Sequence, residues 1–234
     1  MNGLNVKATT QEDLQQILKL CTIYDQAIYG EVDTTVEDIT NSWKGIDVSK
    51  SSYVVMKEEE IIAYGILTGS ERQFPSAVLI HSNYMNQGIE QIIWSKLEGW
   101  AKELVSNSSC SNGTIVTQAN NFYEEKMLED AGFIPTRIWW MMGDYIKLLM
   151  KPLRSTEITH LGVRCSKRKQ GLGLSLLNHA FSQLYEEGTL KVQLNVDSEN
   201  ITGAPRVYEA AGMEVQSKFV RFDKEILAKG VYGM

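Results

Sequence analysis

The feature that most constrains the fold is a basic, glycine-containing turn between an apolar segment and an amphipathic helix. Apolar residues 161–163 lead into the turn, basic residues 167–169 occupy it, and Gly171 and Gly173 end it. The apolar side chains that follow at helical spacing are Leu174, Leu177, Phe181 and Leu184. A strand, a glycine turn and a helix in this order direct backbone N–H groups and the positive end of a helix dipole into the turn. The sequence therefore predicts a phosphate site, and its cations suit a ligand with several phosphates.

The spacing of the turn separates several classes of phosphate-binding loop. No Gly-x-x-x-x-Gly-Lys-Ser/Thr run is present, and the third glycine of the dinucleotide fingerprint is replaced by Leu176. The pattern Arg/Gln-x-x-Gly-x-Gly/Ala does fit, with Arg168, Gly171 and Gly173 at its fixed positions. This pattern resembles the acyl-CoA pyrophosphate loop of the GNAT superfamily of N-acyltransferases.

The residues after the turn extend the resemblance. Residues 190–196 alternate as in a half-buried strand, and Asn200 then precedes a short helix that contains Pro205 and Tyr208. This series is similar to the second half of the GNAT core, and the resemblance covers residues 157 to about 225. It implies a mixed-sheet α/β fold and an acyltransferase activity that uses acetyl-CoA as co-substrate.

The resemblance also implies which residues bind acetyl-CoA. Residues 161–163 supply backbone groups, one N–H polarising the thioester carbonyl and others pairing with pantetheine. Asn200 either bonds to pantetheine or forms the turn before the helix. The full implied set is Leu161, Val163, Arg168, Lys169, Gln170, Gly171, Leu172, Gly173 and Asn200.

The resemblance assigns the chemistry to two side chains. GNAT enzymes use direct attack by an amine in a ternary complex, so a nucleophilic cysteine or serine is not required. Tyr208 is the candidate acid, because a phenol with an ordinary pKa of about 10 can protonate the departing CoA thiolate. Glu157 is the candidate base for the amine, with His160 or a water relay as alternatives.

The first half of the chain repeats the order of elements expected of this fold. The helix stop at 128–133 has the same Ala-Gly-apolar pattern as the stop at 208–213, and aligning the two places Asn120 over Asn200. The sequence therefore predicts two GNAT-like copies in tandem, residues 1–145 and 146–234. This arrangement is similar in outline to that of mycothiol synthase and its relatives.

The two predicted copies depart from the family pattern in different ways. In the first copy, Met85 stands at the position of Arg168, Glu90 at that of Gly173, and Leu128 at that of Tyr208. An added carboxylate repels phosphate and leucine cannot transfer a proton, so the first copy is expected to be a scaffold or, at best, a weak binder. The second copy lacks about fifty or more residues before its turn. This shortening supports an alternative function, a non-catalytic CoA-binding or regulatory protein.

Composition narrows the remaining possibilities. A net charge of −6 argues against general nucleic-acid binding, so the cations at 167–169 are a local feature. Three cysteines without metal-ligand spacing predict no metal site and suit a reducing cytoplasm. The N-terminus does not resemble a signal peptide, and no apolar run reaches membrane-spanning length. We expect a cytoplasmic transferase that can form a homodimer. Its acceptor is an amine whose identity the sequence does not specify.

Overall fold

The chain divides into two compact units in a computed structural model that describes residues 3–30, 32, 34–69, 72–145, 155–189 and 191–228. Unit 1 comprises the described residues of Met1–Gln118, Phe122–Pro135 and Phe222–Met234. Unit 2 comprises those of Ala119–Asn121 and Thr136–Arg221. Among the described residues, no helix combines the length and apolar character needed to cross a membrane.

Unit 1 contains a mostly antiparallel sheet with helices packed against it. Its elements are β1 (Leu4–Ala8), α1 (Leu14–Ile28), α2 (Val36–Ser42), α3 (Val48–Ser51), β2 (Ser52–Lys57), β3 (Glu60–Leu67), β4 (Gln73–Ile80), α4 (Ile89–Asn107), β5 (Asn112–Ala119) and α5 (Phe122–Asp130). The strands β1 to β4 are antiparallel neighbours, and β5 runs parallel to β4. Gly65 on β3 allows α4 to lie close, because a Cβ there would stand 2.2 Å from the side chain of Ile93.

Unit 2 contains a smaller mixed sheet. Its elements are β6 (Ile134–Tyr145), β7 (Ser155–Glu157), α6 (Leu172–Glu186), β8 (Lys191–Asp197), α7 (Ala204–Ala210) and β9 (Glu214–Leu227). The strand order is β9-β6-β8-β7, with β6 antiparallel and β7 parallel to β8. Its core is formed by side chains from both the sheet and the helices: Met142, Leu177, Leu194, Val196, Tyr208 and Met213. The mixed α/β class expected from the sequence is therefore confirmed.

The boundaries of the compact units differ from those of the predicted copies in the last strand of each copy. Most of β6 belongs to unit 2, although it precedes the predicted boundary at 145/146. The end of β9, from Phe222 onward, belongs to unit 1, where Ala228 N–H donates to the carbonyl of Ser111 at 3.0 Å. The predicted domains 1–145 and 146–234 follow the repeat in sequence, whereas each compact unit takes its last strand from the other half of the chain.

This exchange makes unit 1 depend on residues near the end of the chain. Phe222 is 1% exposed, whereas Phe122, also in unit 1, is 79% exposed. We expect Phe222→Ala to lower the free energy of unfolding by about 3–5 kcal/mol, because it removes a buried aromatic ring and leaves a cavity. Phe122→Ala, the matched control, should change it by less than about 0.5 kcal/mol. Urea unfolding of the two variants measures the difference, and equal midpoints would contradict the expectation.

Candidate functional site

Two parallel strands of unit 2 diverge and form a pocket between them. In the last backbone hydrogen bond that joins them, Ile158 N–H donates to the carbonyl of Gln193 at 2.9 Å. Beyond it, residues 159–164 leave the strand, so the extended segment predicted through Val163 ends at Glu157. The pocket has a volume of about 320 Å³ and is lined by Trp139, Thr159, His160, Leu161, Gly162, Asn195, Val196, Asp197, Asn200 and Tyr208.

The glycine turn continues from the diverging segment into α6. A 3₁₀ turn over Cys165–Lys167 is followed by Lys169 with φ +61° and Gly171 with φ +75°, both in the left-handed region. Helix α6 begins at Leu172, so its first backbone N–H groups have no intrahelical acceptors. The turn therefore presents N–H groups, the positive end of a 15-residue helix, and exposed cationic side chains in one place.

Arg168 connects the turn to the segment that precedes it. Its Nε donates to the carbonyl of Val163 at 3.1 Å, which ties the cationic residue to the segment that lines the pocket. The guanidinium has five N–H donors in total, so this bond leaves donors for an anion. The residues predicted to bind phosphate, from Arg168 to Gly173, thus form one continuous turn.

Glycine is suited to the two positions of the turn, 171 and 173, for different structural reasons. Gly171 adopts the left-handed conformation, and a Cβ there would meet no atom within 4 Å. Gly173 lies in the first turn of α6, where a Cβ would stand 3.6 Å from Val207 and 3.9 Å from Val163. Both are ordinary contacts, so packing alone does not require glycine at 173. The absence of a side chain there keeps the helix N-terminus accessible to a ligand.

Tyr208 lies on α7 and lines the pocket. Its side chain is 9% exposed and belongs to the core cluster of unit 2. Burial raises the pKa of its phenol above the ordinary value, so the hydroxyl is protonated near neutral pH. The structure thus places a neutral phenol residue among those that line the pocket.

The two candidate bases lie on either side of Ile158, after which the strands diverge. Glu157 is exposed at the end of β7, and its Oε1 accepts a hydrogen bond from Nδ2 of Asn195 at 3.0 Å. His160 lines the pocket, and its Nδ1 lies 3.1 Å from the hydroxyl of Thr159. Regular strand alternation would place Glu157 and His160 on opposite faces. That argument does not apply, because the strand ends before His160.

Asn200 forms the turn that precedes α7. Its Oδ1 accepts hydrogen bonds from the backbone N–H of Thr202 at 2.9 Å and from the Thr202 hydroxyl at 2.5 Å. This Asx-type geometry corresponds to the turn-forming interpretation of the sequence. Asn200 also lines the 320 Å³ pocket and a neighbouring pocket of about 430 Å³.

Several pocket residues are not identified by the sequence motifs. Asn195 and Trp139 line the pocket, and the ring of Trp139 is parallel to that of Phe219 with centroids 6.3 Å apart. Asp197 also lines it and forms an ion pair with Arg137. The sequence indicates Asn195 only through the alternation of β8, which places it on the face opposite the buried Leu194 and Val196. Within the described ranges, no group of three or more potential ligand side chains is arranged to hold a metal ion.

Unit 1 has a turn with a similar backbone course, and a carboxylate of the same unit accepts a hydrogen bond from it. A 3₁₀ turn over Ser82–Tyr84 leads to Asn86 at φ +60° and Gly88 at φ +81°, and α4 begins at the next residue. The carboxylate of Glu90, which is 4% exposed, accepts from Asn86 N–H at 2.8 Å and from the Tyr123 hydroxyl at 2.9 Å. A side-chain anion therefore binds an N–H group that corresponds to that of Lys169 in unit 2.

The comparisons with known proteins define the fold. No family model and no curated protein matches this sequence. A GCN5-related N-acetyltransferase from Sphaerobacter thermophilus matches with a TM-score of 0.82 at 20% identity, over 97% of both chains. A tandem GNAT protein from the clavulanic acid biosynthesis pathway matches with a TM-score of 0.69 at 12% identity, over 95% of this chain and 98% of that one. The chain therefore has the fold of GNAT acetyltransferases.

Proposed function

We propose that this chain is an acyl-CoA-dependent N-acyltransferase that transfers an acetyl group from acetyl-CoA to a primary amine. One observation carries the proposal: the basic glycine turn and the buried Tyr208 both adjoin the segment 159–164, where the parallel strands diverge. A ligand that carries phosphates at one end and a thioester at the other fits this arrangement. The fold shared with GNAT acetyltransferases supports the same assignment.

Acetyl-CoA binds in unit 2 in this proposal. Its pyrophosphate lies on the N–H groups of residues 169–173, beside the cations at 167–169. Its pantetheine arm follows the diverging segment, where the backbone of residues 161–163 bonds to it. One N–H of that segment polarises the thioester carbonyl, which stabilises the negative charge that develops on its oxygen.

Acetyl transfer then needs two proton movements. The amine nitrogen attacks the thioester carbon, a C–N bond forms, and the C–S bond breaks. Glu157 accepts the proton lost by the amine, and Tyr208 donates a proton to the CoA thiolate. His160 is the alternative base, because it lines the pocket together with Tyr208, whereas Glu157 is not among the lining residues.

We also propose that the chain consists of two GNAT-like copies, of which only the second binds acetyl-CoA. The similar turns at Asn86–Gly88 and Lys169–Gly171 support a duplication, as do the matching helix stops, in which Phe133 N–H donates to Leu128 and Met213 N–H donates to Tyr208. The carboxylate of Glu90 competes with phosphate for the turn of the first copy.

This division of labour predicts a stoichiometry. Isothermal titration calorimetry of the full chain with acetyl-CoA should give one site per chain, because Glu90 already occupies the equivalent turn. The variant Glu90→Gln, which retains the acceptor oxygen, should also give one site. Two sites of comparable affinity in the unmodified chain would contradict the proposal.

A non-catalytic CoA-binding function is the second candidate. Strand β7 of unit 2 corresponds to β4 of unit 1, because each runs parallel to the strand that follows the helix after its turn. Within the described residues, β7 is the last strand of its sheet, whereas β4 has β3 beside it. This open side of unit 2 favours the non-catalytic candidate. Two measurements separate the candidates. A thermal shift with acetyl-CoA tests binding, since a ligand that binds only the folded state stabilises it. Release of free thiol with a panel of primary amines then tests transfer, and binding without release would favour the non-catalytic function.

A further inference from the structure

The carboxylate of Glu157 has a defined hydrogen-bond partner on the neighbouring strand. Glu157 pairs in register with Gln193 of β8, and the side chain of Asn195, two residues further along β8, lies on the same face. Nδ2 of Asn195 donates to Oε1 of Glu157 at 3.0 Å. Leu194 and Val196, which flank Asn195 on β8, face the core of unit 2.

The position of Glu157 explains why such a partner matters. Glu157 is the last residue of β7, and the chain leaves β8 directly after Ile158. An exposed glutamate at the end of a strand has several rotamers, and fixing one of them has an entropic cost. The bond to Asn195 selects the rotamer that directs the carboxylate towards β8. An ionised carboxylate accepts about four hydrogen bonds, so this bond leaves acceptor capacity for an ammonium group.

Asn195 also connects Glu157 to the pocket. Asn195 is one of the residues that line the 320 Å³ pocket, together with Tyr208 and the diverging segment. The bond therefore links the carboxylate of Glu157, which does not itself line the pocket, to a residue that does.

We propose that Asn195 is a positioning residue that holds the carboxylate of Glu157 for proton transfer from the amine. This inference rests on the proposed acetyltransferase function and on Glu157 as its base. Asn195 acts through Glu157, so its contribution disappears when Glu157 can no longer accept a proton.

The test is a double-mutant cycle in the full chain, with kcat and KM measured from thiol release. Asn195→Leu should lower kcat about 10- to 100-fold, since a misplaced catalytic group costs rate of this order. The KM for acetyl-CoA should stay within about twofold, because the turn is untouched. Asn195→Gln, which retains the amide, should recover part of the loss. Gln193→Leu, on the same face of β8, is the matched control and should retain the parent kcat.

The cycle separates a positioning role from a structural one. In the Glu157→Gln background, adding Asn195→Leu should change kcat by less than about twofold. Effects that multiply would overturn the inference, because Asn195 would then act independently of Glu157. Full activity of Asn195→Leu would overturn it as well and leave acetyl transfer intact. If the unmodified chain binds acetyl-CoA but releases no thiol with any amine, the proposed function fails and this role fails with it.

Discussion

Replacement of Gly171 by aspartate is expected to weaken acetyl-CoA binding at least about 100-fold, which corresponds to about 2.7 kcal/mol. The new carboxylate would stand at the N-terminus of α6, beside the proposed pyrophosphate. Hydrogen bonds to charged groups contribute about 1.5–3 kcal/mol each, so the disturbance of one or two of them accounts for the expected loss.

The isosteric Gly171→Asn is the matched control for this substitution. Gly171 has a φ of +75°, and asparagine and aspartate both tolerate the left-handed region better than other residues do. A Cβ at this position meets no atom within 4 Å, so neither variant introduces a clash at that atom. The two variants therefore differ mainly in charge. Calorimetric titration should show a loss of about tenfold or less for asparagine, and equal dissociation constants for both variants would place the pyrophosphate elsewhere.

The turn of unit 2 could be predicted from the sequence because its geometry is local. Glycine at 171 supplies the left-handed residue that ends the turn, and the apolar spacing after it defines α6. Tyr208 and Asn200 follow at fixed distances along the chain. Lys169 is an exception: its φ of +61° is unusual for lysine, and the residue type gives no sign of it.

The strand pairing could not be predicted in the same way. Alternation indicates a strand and its buried face, but it does not identify the neighbouring strand. Residues 136–145 and the end of β9 each lie in the compact unit of the other half of the chain, an exchange that no local pattern encodes. The bond between Glu157 and Asn195 depends on the register of β7 against β8, so it too required the structure.

The two turns of the chain show how one backbone course can have opposite electrostatics. In unit 2 the turn carries exposed cationic side chains at 167–169, and Gly173 adds no side chain. In unit 1 the carboxylate of Glu90 accepts one such N–H and the hydroxyl of Tyr123 holds it in place. Burial and this carboxylate raise the pKa of Tyr123, which keeps its phenol a hydrogen-bond donor. Under the proposed duplication, Glu90 in place of Gly173 and Met85 in place of Arg168 distinguish a turn that binds its own side chain from a turn that binds a ligand.

The removal of one oxygen atom from Tyr208 is expected to have the largest effect on turnover. Tyr208→Phe should lower kcat about 10²- to 10⁴-fold, the usual contribution of a positioned proton donor. The ring belongs to the core cluster with Met142 and Leu177, and phenylalanine retains that packing. Acetyl-CoA affinity should therefore change by less than about threefold, because the turn that binds the phosphates is unaltered.

Tyr185 provides the matched control for this variant. It lies on α6 in the same unit and is 57% exposed, so Tyr185→Phe removes a hydroxyl that the proposed site does not use. Its kcat should equal that of the parent chain. Because burial raises the pKa of Tyr208, the acid of the parent remains protonated at pH values up to the ordinary phenol pKa of about 10. Equal turnover in Tyr208→Phe and Tyr185→Phe would limit Tyr208 to packing and assign protonation of the thiolate to water.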